Sequence, residues 1–210
     1  VPDGAADYPL DALGGMTPLE AAYTPNMDRL AQEGMGGMVQ MIPGERHPGS
    51  DIGNLEIFGY DSRVHYTGRS PLEATSMGIS LADDEIAFRC NLITRDGDTL
   101  LDYSADHISS EEAKILVEAL QNELGSDVIR FYPGVGYRHL MIYKAGPEEL
   151  LSYPPHDLMG QSIAQHLPSG DGQEEVRRLM VSAEPILAQA TVNKKRAAAG
   201  KGLANAIWLW

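Results

Sequence analysis

Apolar residues recur along the chain at two different spacings, and each spacing predicts a different kind of element. In "TPNMDRLAQEG", from Thr24 to Gly34, Met27, Leu30 and Ala31 fall three and four apart. That spacing predicts a helix with Thr24 as its N-cap, Pro25 at its first position and Gly34 as its stop. The following "GGMVQMIP" reads as a strand. Helical spacing returns through Ile52, Leu55 and Phe58, with Ser50 or Asp51 just ahead of the first turn, so Ser50 is expected at a helix N-terminus.

From about Asp84 the rhythm shortens to two. In "EIAFRCNLIT", Ile86, Phe88, Cys90 and Leu92 share one face, and Arg89 and Asn91 share the other. One face is expected in a core, while the other is open to a ligand. "RDGD" predicts a hairpin turn into "TLLDYS". A helix follows with Ser109 as N-cap, Glu112 three residues on, and Leu116, Leu120 and Leu124 stacked ahead of Gly125. "VIRFYP" and "YRHLMIYK" predict a further pair of strands, which makes the middle of the chain an α+β unit. "PSGDGQEE" is the most linker-like stretch, and the helix after it, with Val176, Leu179 and Met180, is expected to end or kink at Pro185. The opening "VPDGAAD" and the closing "ANAIWLW" both read as interior points of a longer chain.

Composition narrows the class. With 210 residues, 43% of them hydrophobic, the chain can build a core. It holds no apolar run long enough to cross a bilayer, and its start lacks the pattern of a secretory signal, which predicts a soluble, cytoplasmic protein with no membrane partner. Cys90 is the only cysteine, so neither an internal disulfide nor a cysteine metal cluster can form within one chain. The net charge of -14, with Lys194-Lys195-Arg196 as the one basic run, argues against nucleic acid. A small anionic substrate stays open, because a pocket needs only a few convergent arginines.

Several residues could carry chemistry. Ser50 on a helix N-terminus would meet backbone N–H groups and a partial positive charge, which suits a phosphoryl group; by residue type alone it reads as a cap. A serine-hydrolase elbow does not fit, since Pro48 stands where that motif needs glycine. Asp3, ahead of Gly4, has the placement of a metal-binding carboxylate or of an ordinary turn aspartate. His139 beside Arg138 and His156 beside Asp157 could bind an anion or move a proton, although isolated histidines are more often structural.

"TPLEAAYTPNMDRLAQEG" resembles a segment shared across the alkaline phosphatase superfamily. "VPDGAAD", "PGSDIGNLEIFGYD", "YTGRSPLEA", "AFRCNLIT", "RFYPGVGYRHL", "PPHD" and "ANAIWLW" resemble, in the same order and over essentially the whole chain, the archaeal-type 2,3-bisphosphoglycerate-independent phosphoglycerate mutases. The resemblance implies an α/β fold: an incomplete alkaline-phosphatase-like core domain with an inserted α+β domain. Residues 1–83 would be the N-terminal part of the core, 84–203 the inserted substrate domain, and 204–210 a return strand into the core.

It also implies Ser50 as the nucleophile and as a metal ligand, and Asp3 as a second metal ligand. Arg69, Arg89 and Arg138 would bind the phosphate and carboxylate of a phosphoglycerate, with His107 and His156 for proton transfer or for glycerate oxygens. By the same resemblance, related bacterial members usually carry Gly where this chain has Asp106, beside His107. Two divalent cations, manganese or magnesium with zinc or cobalt as alternatives, are implied in the full-length protein, with no 2,3-bisphosphoglycerate. Their remaining ligands would come from a later segment, so the 210-residue chain is expected to be inactive alone. The rival expectations are another phosphotransferase of the superfamily (a phosphatase, a phosphonate-handling enzyme or a homoserine kinase-like enzyme) and a non-catalytic module that captures a phosphorylated ligand.

Overall fold

The structure, a computed structural model, describes residues 5–46 and 49–210. Asp3 therefore lies outside the described residues. The chain divides into two compact units, Val1–Thr67 and Gly68–Trp210.

The first unit is helical. α1 (Pro18–Ala21) starts with a capping box, in which the Thr17 hydroxyl accepts the Glu20 N–H and the Glu20 carboxylate accepts the Thr17 N–H. α2 spans Pro25–Glu33 with Pro25 in its first turn and Gly34 at its end, as the spacing predicts. Thr24 stands at the N-cap, but its hydroxyl donates to the Asp28 carboxylate instead of accepting a backbone N–H. α3 (Ser50–Ile57) and α4 (Ser62–His65) follow, and the Asp61 carboxylate caps α4 through the Arg63 N–H. The strand expected over 36–43 does not form among the described residues. No described segment of this unit offers it a ladder, and a strand needs a neighbour to take its backbone hydrogen bonds.

The second unit begins with α5 (Arg69–Ser76) and then builds a sheet from β1 (Glu85–Asp96), β2 (Thr99–Asp102), β3 (Ile129–Val135), β4 (Arg138–Lys144) and β7 (Ala206–Leu209). Between β2 and β3 lies α6 (Ser110–Leu124). Beyond β4 come the short pair β5 (Leu150–Leu151) and β6 (Ser169–Gly170), then α7 (Gln173–Gln189) and α8 (Thr191–Ala198). β1 is the spine of the sheet. It pairs antiparallel with β4 from Glu85 to Asn91, with β7 from Cys90 to Ile93, and with β2 from Thr94 to Asp96. Within residues 204–210, expected as a return strand into the core domain, Ala206–Leu209 forms a strand that hydrogen-bonds to β1.

Strand alternation sorts the two faces. Phe88, Cys90 and Leu92 join Met141, Leu116, Leu120 and Leu179 in one buried cluster under α6 and α7. Leu140 and Ile142 are buried on the opposite face, where α5 packs on β1 and β4. α6 starts as expected, with the Ser109 hydroxyl accepting the Glu112 N–H, and ends at Gly125. α7 differs from expectation: it continues through Pro185. Its buried residues Val176, Leu179, Met180, Ala183 and Leu187 lie on both sides of the proline, so packing holds the helix. The Val181 carbonyl, which loses its donor to Pro185, belongs to a solvent-exposed residue where water can replace the bond. The linker-like "PSGDGQEE" is part of this unit too, supplying β6 and the start of α7.

Candidate functional site

Ser50 is the first residue of α3, and Gly49, in extended conformation, is the N-cap. The expected cap role thus falls to the glycine, while Ser50 stands in the first turn, where backbone N–H groups lack intrahelical acceptors and the helix dipole is positive. Its carbonyl accepts the Asn54 side-chain amide at 2.7 Å, and the neighbouring Asp51 carboxylate accepts the Tyr66 hydroxyl. Arg69 opens α5 behind Gly68, whose φ of 139° suits glycine.

The second unit gathers most of the remaining sequence-predicted residues on the face of the sheet opposite Cys90. Arg89 and Asn91 project there from β1, and Arg138 faces Asn91 across the β1–β4 ladder. Arg89 is buried, and its guanidinium makes a two-pronged pair with Glu73 of α5, at 2.7 and 3.0 Å. Trp210 lies over it, with 4.5 Å from the guanidinium carbon to the ring centroid, and donates its indole N–H to Asn91 Oδ1 at 3.2 Å. The cluster continues ring to ring: Trp210 to His156 at 5.8 Å, His156 to Tyr103 at 6.0 Å, and Tyr103 to Tyr137 at 5.4 Å. Arg138 closes it, 5.4 Å from the Tyr137 ring.

The two arginines differ in what they can do. Glu73 neutralises Arg89, which makes that guanidinium a buttress for Trp210. Arg138 is exposed and makes no ion pair among the described residues, so its N–H fork is available to a carboxylate or phosphate. The site thus presents an open guanidinium at the edge of an aromatic shelf that includes the half-exposed His156 imidazole.

His107 sits close by in sequence, four residues after Tyr103, on a turn whose residues Ala105, Asp106 and His107 all have positive φ: 50°, 55° and 46°. Asp106, where glycine would fit the backbone best, has its carboxylate accepting the Gly202 N–H at 3.1 Å. Burial raises the pKa of the Asp102 carboxyl, but the Ser104 N–H and hydroxyl, the Asp106 N–H and the nearby His107 outweigh it and hold that pKa below the ordinary value.

His139 is not part of the site. It is 1% exposed and shares the face of Cys90, opposite to Arg138. Its Nδ1 accepts the Gly134 N–H at 2.9 Å, which leaves the proton of the neutral ring on Nε2, where it has no partner among the described residues. Burial pushes its pKa down to about 4. Glu73, Tyr103, Tyr137 and Trp210 went unnoticed in the sequence reading. Only the period of two shared by Trp208 and Trp210, which puts both on the face of Asn91, hinted at any of them.

The implied metal site is not assembled from the described residues. Among them no group of three His, Cys, Asp or Glu side chains comes together, and Ser50 without Asp3 does not make a ligand set. No helix among the described residues is long and apolar enough to cross a membrane.

Fold and site together define a mixed α/β protein with a helix-N-terminal serine in one unit and an arginine–aromatic shelf in the other. A family model for 2,3-bisphosphoglycerate-independent phosphoglycerate mutase matches residues 31–193, and the chain belongs to that family. A probable 2,3-bisphosphoglycerate-independent phosphoglycerate mutase of Geobacter sulfurreducens is 49% identical over 99% of this chain and 53% of its own length. The 2,3-bisphosphoglycerate-independent phosphoglycerate mutase of Methanosarcina barkeri is also 49% identical, over 99% of this chain and 52% of its own. Among solved structures, the cofactor-independent phosphoglycerate mutase from Thermoplasma acidophilum superposes with a TM-score of 0.60 at 27% identity, covering 98% of this chain and 56% of that one. The PH0037 protein from Pyrococcus horikoshii superposes with a TM-score of 0.72 at 29% identity, covering 99% and 48%. The chain spans about half the length of the curated relatives it matches.

Proposed function

We propose that the whole protein carrying this chain is a cytoplasmic enzyme that interconverts 3-phosphoglycerate and 2-phosphoglycerate without 2,3-bisphosphoglycerate, through a phosphoserine at Ser50. The observation that carries this reading is the place of Ser50 in the first turn of α3, within a chain whose relatives bear the name of that activity. Ser50 Oγ attacks the phosphorus of 3-phosphoglycerate, the bond from phosphorus to the C3 oxygen breaks, and that oxygen takes up a proton as the serine proton leaves. In the second half the C2 hydroxyl attacks the phosphoserine, the bond from phosphorus to Oγ breaks, and Oγ regains a proton. No water is consumed, so any water that reaches the phosphoserine diverts the cycle to hydrolysis.

Within this chain, the N–H groups at the start of α3 favour the charge on the transferring phosphoryl group. Arg138 is the guanidinium that suits the carboxylate or phosphate, Arg69 is a second binding arginine, and Arg89 supports the shelf through Trp210. His156 and His107 are the imidazoles proposed to hold or move the proton at the glycerate oxygens. The division into residues 1–83, 84–203 and 204–210 belongs to this proposal, as do the divalent cations and Asp3 as one of their ligands.

The test is to supply 3-phosphoglycerate and Mn²⁺ to the whole protein without bisphosphoglycerate and to follow 2-phosphoglycerate and free phosphate together. Formation of 2-phosphoglycerate that vanishes in Ser50→Ala is expected. Phosphate release without 2-phosphoglycerate would make the protein a phosphatase, and no turnover of any kind would favour a module that only binds a phosphorylated ligand.

A further inference from the structure

The turn that carries His107 is an unusual piece of backbone. Ala105, Asp106 and His107 follow one another with φ of 50°, 55° and 46°, and none of them is glycine. L-residues disfavour this left-handed region and visit it singly, so three in a row must be imposed from outside the turn.

The structure shows what imposes it. The Asp102 carboxylate accepts the Ser104 N–H at 2.8 Å, the Ser104 hydroxyl at 2.7 Å and the Asp106 N–H at 2.6 Å. The Ser104 hydroxyl oxygen in turn accepts the His107 N–H at 3.2 Å. From the far end of the unit comes Arg196, which is 2% exposed. Its guanidinium donates to the Ala105 carbonyl at 2.7 Å, the Gly202 carbonyl at 2.8 Å and the Glu112 carboxylate at 2.6 Å. Glu112, three residues after the Ser109 cap of α6, thus holds Arg196. Gly202 completes the clamp, because a Cβ there would lie 2.8 Å from the Asp106 Cβ.

A buried guanidinium and a carboxylate with three donors are thus committed to a conformation that the local sequence disfavours. Strain of this kind persists where the surroundings over-determine it, and it is concentrated at functional sites. The two ends of the turn indicate its use. Tyr103 belongs to the ring cluster beside Arg138, and His107 is exposed at the other end. Reversing the hand of the backbone changes the direction in which the 107 side chain leaves it, so the clamp sets the aim of the imidazole.

We propose that Asp102 and Arg196 are positioning residues that hold the left-handed turn and thereby present the His107 imidazole to the phosphoglycerate ligand; the identity of that ligand rests on the mutase reading. Neither residue touches the ligand, and both act through His107.

The experiment uses the whole protein and two readouts. The first is KM and kcat for 3-phosphoglycerate in His107→Ala, Asp102→Asn and the double variant. A positioning role predicts that Asp102→Asn lowers kcat/KM roughly tenfold, in the same direction in KM and kcat as His107→Ala, and that the double variant is no worse than His107→Ala alone. Additive losses in the double variant would mean that Asp102 acts elsewhere and would overturn the proposal. Should Asp102→Asn fail to fold, Arg196→Lys serves in the same cycle, since an ammonium keeps the charge facing Glu112 but cannot reproduce the three-way guanidinium fork.

The second readout is the imidazole resonance of His107 as 3-phosphoglycerate is added, and it needs no turnover. A shift in the unmodified protein that Asp102→Asn removes is expected. Turnover with an unmoved His107 resonance would sink this inference and leave the mutase reading standing. A His107 shift without turnover would do the reverse, and neither shift nor turnover would remove both.

Discussion

α2 and α6 are both amphipathic, and both are bounded by the residues that helix ends favour, yet they sit in opposite surroundings. On α6, Leu116, Val117 and Leu120 are fully buried against the sheet and α7, whereas on α2 Met27 and Leu30 remain largely exposed. The contrast extends to the units that contain them. Among the described residues of Val1–Thr67 only Ile52 and Ser62 are buried, while Gly68–Trp210 holds a continuous apolar cluster running from Phe88 to Leu209. A periodic pattern specifies which face of an element is apolar, but it does not supply the surface that covers that face. A nine-residue helix such as α2 is marginal in water when its apolar face is uncovered.

The largest expected difference between the units is in hydrogen exchange. In the 210-residue chain the amides of β1 and α6 should exchange slower than those of α2 by a factor of about a thousand or more, since buried elements open only with the whole unit. Comparable protection of α2, measured by exchange and mass spectrometry, would erase the comparison.

Truncating one leucine on each helix sharpens it. Leu120→Ala should cost about 3 kcal/mol of stability, and Leu30→Ala within about 0.5 kcal/mol, as read by urea unfolding of the chain.

A third difference depends on pH. The buried His139 has its pKa pushed down to about 4, below the value near 6.5 of an unfolded chain. The unfolded state therefore binds the proton first. Stability from this group is fully present above about pH 6.5, declines as pH falls toward 4, and changes no further below that, for a total of about 3 kcal/mol at most. His139→Gln should flatten that part of the stability profile of the second unit, while the first unit contains no comparable buried histidine among its described residues.

The smallest of these effects is expected at the ring cluster. Glu73→Ala leaves the buried Arg89 guanidinium without its partner, and because Glu73 is itself about one-third exposed the cost should be near 2 kcal/mol. A change in Trp210 fluorescence should accompany it, because Arg89 supports that ring.

What was legible in the sequence was local. Pro25 and Gly34 bound α2, Ser109 caps α6, Gly97 turns the β1–β2 hairpin, and the alternation of β1 separates Cys90 from Arg89, all within a few residues of one another. What escaped depends on partners distant in sequence. The expected strand over 36–43 lacks a described neighbour, Pro185 is tolerated because residues on both sides of it are buried, and Ser50 yields the cap to Gly49. The site shows the same division. Arg89, Arg138 and His156 were singled out individually, but the rings that join them come from Tyr103, Tyr137 and Trp210 on separate elements. Nor does any local pattern show that Glu73 neutralises Arg89, or that Arg196 clamps a turn 91 residues earlier.

The central claim is that the phosphoryl group passes through Ser50, and the most direct measurement is to trap it there. The whole protein, mixed with 3-phosphoglycerate and quenched in acid within one turnover, would be digested and its peptides mapped by mass spectrometry. One phosphoryl group on Ser50, absent from Ser50→Ala, is the expected result. Formation of 2-phosphoglycerate by Ser50→Ala at the unmodified rate, with no phosphoserine found at any time point, would contradict it.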